Sequence, residues 1–148
     1  MKLFDVNVLV YAHREDAPNH LQYRELLEHE INSGEPFALA TIVLSGFLRI
    51  VTHPRIFDPP SPLKEAILFA NQVSQHPNAV FLKSSEKQWS VFLKICERAH
   101  AKGNLIPDAF IASLAIDSGC TLMTTDGDFM RFPGLRWLHP LDEGTGKA

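Results

Sequence analysis

The sequence predicts an α/β fold, a three-layer α/β/α sandwich with a mostly parallel central sheet of four or five strands. Three observations predict it. Short apolar runs alternate with longer amphipathic segments through most of the chain, as in strands joined by crossover helices. The first run, Lys2–Asp5, reads as a strand buried on both faces, which is the habit of parallel sheets. The chain's 148 residues, 45% of them apolar, suffice for one domain around one core.

Each element has its own signal. After the first strand, Asn7–Ala12 begins a turn or short helix. Asp16-Ala17-Pro18 reads as a helix start, with Asp16 at the cap and Pro18 in the first turn. Apolar residues then recur at Leu21, Leu26, Leu27 and Ile31, until Asn32-Ser33-Gly34 ends the helix. Phe37–Ala40 is the second strand, and Thr41 caps a helix over about Ile42–Val51 that His53-Pro54 stops. The Pro-rich stretch Phe57–Pro62 is a loop too short to separate domains, and a helix runs from Pro62 to about Gln75. Val80–Leu82 is the third strand. Lys87–Ala101 is a helix closed by Gly103, and Pro107–Ser118 a helix closed by Gly119. Thr121–Thr124 is the fourth strand and Arg136–Leu138 a fifth. One domain is expected over residues 1–142, with a frayed tail over 143–148.

Composition excludes several classes. No apolar run approaches the roughly 20 residues that cross a bilayer. Asp5 interrupts the first apolar stretch, which does not suit a signal peptide, so a cytoplasmic protein is expected. The formal net charge of −3 leaves nucleic-acid binding to a local patch rather than to bulk charge. Cys96 and Cys120 read as two partly buried thiols, and the seven histidines show no zinc-ligand spacing.

In open parallel sheets, ligands bind beyond the carboxyl ends of the strands. Asp5 and Asn7 follow the first strand there, and Thr124, Thr125, Asp126 and Asp128 follow the fourth. Asp108 opens the helix that leads into the fourth strand. Three distant segments thus bring carboxylates to one sheet edge. Such a cluster needs neutralising, and oxygen-only ligands favour Mg²⁺ or Mn²⁺ over Zn²⁺. The matching chemistry is phosphodiester hydrolysis. Taken singly, each residue has a structural reading. Asp5 can be a buried carboxylate bonded to backbone amides. Asp108 can favour the helix dipole, Asp126-Gly127 can be a turn, and Asn7 a cap. Their convergence on one edge is what points to chemistry.

Four stretches carry a family resemblance: Phe4-Asp5-Val6-Asn7-Val8-Leu9; Phe47-Leu48-Arg49 through Thr52-His53-Pro54-Arg55-Ile56-Phe57; Pro107-Asp108-Ala109-Phe110-Ile111-Ala112; and Thr124-Thr125-Asp126-Gly127-Asp128-Phe129. In order and spacing they resemble the PIN-domain ribonucleases, specifically the VapC toxins of type II toxin–antitoxin systems. The resemblance spans about Met1 to Leu141. It implies a PIN-like sandwich and an Mg²⁺ or Mn²⁺ site on Asp5, Asp108 and Asp126, with Asp128 as a further acidic position and Asn7 and Thr125 in support. It implies cleavage of RNA such as transfer or ribosomal RNA, inhibition by a VapB-like antitoxin, and a homodimer. Arg49, Arg55 and Arg131 are candidates to hold substrate phosphates, with His53 behind them. Trp89 and Trp137 suit core or partner contacts better than base stacking.

One departure stands out: the family's usual helix Glu falls on Gly46 here. Two rivals follow. One is a PIN module that binds RNA or antitoxin without cutting. The other is an aspartyl-phosphate phosphatase with Asp5 as nucleophile, which Asn7 speaks against. An open pocket at Gly46 is expected, because this helix begins at the strand edge where the carboxylates converge, and it would accept a new carboxylate, whereas close packing would not.

Overall fold

The structure, a computed structural model, describes residues 1–143. Its frame is five short strands: β1 (Lys2–Phe4), β2 (Phe37–Leu39), β3 (Ala79–Phe81), β4 (Thr121–Met123) and β5 (Trp137–Leu138). They form one sheet in the order β3-β2-β1-β4-β5, and every pairing is parallel. The register pairs Leu3 with Ala38 on one side and with Leu122 on the other. Leu3, Phe4, Leu39, Leu122 and Met123 have no solvent exposure, as expected for central strands covered on both faces. Val80 and Phe81 on the edge strand β3 are about two-fifths exposed.

Seven helices surround the sheet: α1 (Val6–His13), α2 (His20–Ile31), α3 (Thr41–Val51), α4 (Leu63–Ser74), α5 (Glu86–Arg98), α6 (Leu105–Ser118) and α7 (Pro140–Glu143). Val43, Phe47 and Val51 put one buried stripe along α3 at helical spacing. In α6, Ala109 and Ile111 through Ala115 are all buried, so that helix is covered nearly all round. It packs mainly against α5, while α1 packs on α2 and α3. Cys96 and Cys120 are free thiols.

Three expectations are corrected. Helix α2 starts at His20, not at Asp16-Ala17-Pro18, because both Asp16 carboxylate oxygens are taken by Arg14, at 2.8 and 2.6 Å. Thr41 is the first residue of α3, and Ala40 holds the cap position without a side-chain bond. Helix α7 was not expected; it packs on α2. Of the tail foreseen over 143–148, residues 144–148 lie outside the described residues, and Glu143 ends α7.

Candidate active site

Asp5 stands where β1 ends and α1 begins. It is the N-cap of α1: Oδ1 accepts from the Val6 amide at 2.7 Å, while its own amide donates to the Met123 carbonyl of β4. Its Oδ2 accepts from the Thr124 hydroxyl at 2.7 Å. Thr124, just past β4, is fully buried, and its Oγ1 also accepts from the Asp126 amide at 3.0 Å and from Asn7 Nδ2 at 3.5 Å. The Thr125 amide donates to Asn7 Oδ1 at 3.4 Å. Asp126 Oδ1 in turn caps a short 3₁₀ turn, Gly127–Arg131, by accepting from the Asp128 amide at 2.9 Å. A chain of hydrogen bonds thus ties the ends of β1 and β4 together. Asp108 enters from the first turn of α6.

Asp5, Asp108 and Asp126 line one cavity of about 710 Å³, together with Asn7, Gly46 and Arg49. Burial raises the Asp108 carboxyl, and the charges of Asp5, Asp126 and Asp128 raise it further, to about 6. Burial also raises Asp5, against the opposing effect of its Thr124 and Val6 hydrogen bonds, and Asp126 adds to the rise. Among the described residues, no Lys or Arg forms an ion pair with any of these three.

The donor set is oxygen only and short of positive charge, which fits a hard divalent cation. Yet among the described residues no three His, Cys, Asp or Glu side chains stand close enough to make a ready metal cluster. The two observations agree physically. Three unneutralised carboxylates repel one another, and Asp5 spends both oxygens on Val6 and Thr124. The residues fit the ion in kind and in charge, without being drawn together around one.

Not every candidate joins them. Asp128 is exposed, does not line the cavity and faces Arg131 at 3.9 Å. Of the three arginines, Arg49 lines the cavity; Arg55 and Arg131 do not. The His53 ring accepts from the Arg55 amide, and neither tryptophan lines the cavity. Trp89 is about half exposed. Thr124, rather than the Thr125 side chain, supports Asp5; its position as the first polar residue after β4 was the available signal. Gly46 lines the cavity, but a Cβ there would meet Val6 Cγ2 at 3.0 Å. This corrects the expected open pocket: the glycine marks a close approach of α1 to α3, not free room for a side chain.

A family profile described as PIN domain matches residues 2–135. Ribonuclease VapC43 of Mycobacterium tuberculosis is 41% identical over 145 residues, covering 98% of this chain and 99% of its own. Ribonuclease VapC31 of the same species is 37% identical over 140 residues, covering 95% and 99%. Among solved structures, VapBC2 from Rickettsia felis, bound to a DNA fragment from its promoter, superposes with a TM-score of 0.67 at 22% identity, over 93% of this chain and 96% of that one. The profile match, the near full-length identity and the shared fold agree, and the chain belongs to the PIN-domain family, in its VapC branch.

Proposed function

We propose that the chain is a metal-dependent endoribonuclease that hydrolyses RNA phosphodiester bonds and acts as the toxin of a toxin–antitoxin pair. One observation carries this reading: carboxylates from three separate segments line a single cavity at the carboxyl edge of a parallel sheet, where burial first and their mutual charge second hold Asp108 near 6. Relatives named ribonucleases, at 37% and 41% identity, support the reaction class.

In this reading Asp5, Asp108 and Asp126 hold Mg²⁺ or Mn²⁺, and Asp128 is a further acidic group beside them. The bound ion supplies Lewis acidity toward a phosphoryl oxygen and toward water. The protein's own part is positioning and charge. Thr124 and the Val6 amide fix the Asp5 carboxylate, and Asn7 and the Thr125 amide keep the two strand ends in register. Arg49 on the cavity wall neutralises a substrate phosphate. Arg55 and Arg131, both exposed, bind neighbouring phosphates of a longer RNA, such as transfer or ribosomal RNA.

The same reading assigns a VapB-like antitoxin as partner, supported by solved neighbours that are VapBC complexes. It assigns a homodimer and a cytoplasmic location, and takes residues 1–142 as the PIN domain. Among the described residues no helix is long and apolar enough to cross a membrane.

The test is cleavage of RNA by purified protein free of antitoxin, with Mg²⁺ or Mn²⁺ and with a chelator. Cleavage is expected to need the ion and to be mostly lost in Asp5→Asn and Asp126→Asn. Cutting that persists in chelator contradicts the proposal. RNA binding without any cutting would make the chain the non-catalytic module instead.

A further inference from the structure

We propose that the apolar half of the cavity is a nucleobase subsite, in which Phe57 stacks on an unpaired base next to the scissile phosphate. This rests on the ribonuclease reading and narrows its substrate to RNA that is single-stranded or splayed open at the cut.

The cavity is larger than an ion and one phosphate need, and falls within the about 300–1,000 Å³ of ligand sites. Away from the carboxylates its wall is apolar: Tyr11, Ile42, Ile50, Ile56 and Phe57. Ile56 is half exposed, so this wall offers apolar surface to solvent beside a charged site. Arg49 is the one cation on the lining among the described residues, placed to meet a phosphate. Carboxylates, a cation and an aromatic wall in one cavity match the parts of a nucleotide better than those of a purely apolar ligand.

Phe57 is also held in place beforehand. The Arg14 guanidinium stands 4.3 Å over its ring centroid, the ring is half-buried against the core, and Phe57 still lines the cavity where Arg14 does not. Arg14 is fixed in turn by Asp16, by the Ser61 hydroxyl at 3.1 Å and by the Pro59 carbonyl at 3.0 Å. The loop itself is pinned by the Ile56 and Phe57 amides on the His53 carbonyl, both at 3.1 Å, and by the Ser61 amide on the Val51 carbonyl at 2.7 Å. An aromatic ring locked this way loses little freedom on stacking, and every base offers it a flat face. Within a duplex those faces are already stacked, which is why the base must be unpaired.

The experiment uses a short oligoribonucleotide carrying 2-aminopurine, titrated against the Asp108→Asn protein so that cleavage does not interfere. Emission should fall as the fluorescent base stacks. Adding Phe57→Leu should weaken binding about tenfold and remove the quench, and Phe57→Trp should keep both. A thermal melt of each variant is run alongside. If Phe57→Leu does not fold, an abasic nucleotide moved through the oligonucleotide gives the same reading: one position should weaken binding about tenfold. Equal binding by Phe57→Leu, or indifference to every abasic position, overturns the proposal. So does a Phe57→Leu change that spares RNA binding but releases a protein partner. Cleavage of the unmodified oligonucleotide by the native chain is scored separately. Cutting that ignores Phe57 sinks the subsite alone, and stacking without cutting sinks the nuclease alone.

Discussion

Thr124 has no solvent exposure, and its one hydroxyl serves Asp5, Asp126 and Asn7. Thr124→Val should therefore cost more than its small change in shape. It leaves a buried carboxylate oxygen without its donor, a loss of about 1–3 kcal/mol. Its melting temperature should fall and cleavage with it, while Thr124→Ser, which keeps the hydroxyl, should retain both. Asp108 makes a separate forecast about pH. Its unfolded carboxyl releases a proton near 3.8 and the folded one near 6, so between those values the folded state binds more protons. Stability of the metal-free protein should fall as pH rises through that window. Asp108→Asn should melt above the parent at pH 7.5 in chelator and show no such advantage at pH 4; equal melting at pH 7.5 would contradict the assigned cost of burying this charge beside its neighbours. At this scale the sequence was legible where a residue's place along a strand or helix decides its role. Asp5, Asp108 and Asp126 sit at element ends, and all three reach the cavity. Thr124 against Thr125 was not legible, because which of two adjacent threonines turns toward Asp5 depends on where β4 stops.

At the scale of elements, the packing of α1 on α3 is the telling case. Alanine at position 46 would gain about 0.8–1.0 kcal/mol of helix propensity. It would also place a carbon 3.0 Å from Val6 Cγ2, and valine in a helix has essentially one rotamer to offer. Overpacking of this kind costs about 1–3 kcal/mol, so Gly46→Ala should lower the melting temperature, and adding Val6→Ala should restore it. Gly46→Glu meets the same valine before it can reach an ion, and should destabilise without tightening Mn²⁺ binding. Sequence signals located α3 but are blind to interhelical distance. The same limit explains α2. Propensity favoured a start at Asp16, but the Arg14 pair consumed the carboxylate that would have capped it. The edge strand β3 begins at Ala79, one residue earlier than expected, directly after the turn residues Pro77-Asn78.

At the scale of the whole molecule, an ion bound only by the folded state should raise its stability. At a hundredfold excess over its dissociation constant, Mn²⁺ should add about 2.7 kcal/mol, read as a higher melting temperature that a chelator reverses and Asp5→Asn abolishes. The fold class was readable because strands and helices alternate and the central strands are apolar after their first residues, Lys2 and Thr121. The sheet order was not, since alternation does not say which strands are neighbours. That order has a consequence for how the protein is made. Asp5 and Thr124 are 119 residues apart, and β1 lies at the centre of the sheet against β4. During synthesis β1 can meet β2 early, but its other neighbour, β4, leaves the ribosome only after residue 123. A nascent chain whose β4 is still inside the ribosome cannot bring Asp126 beside Asp5, so an agent proposed to destroy RNA has no complete carboxylate site until that strand has emerged.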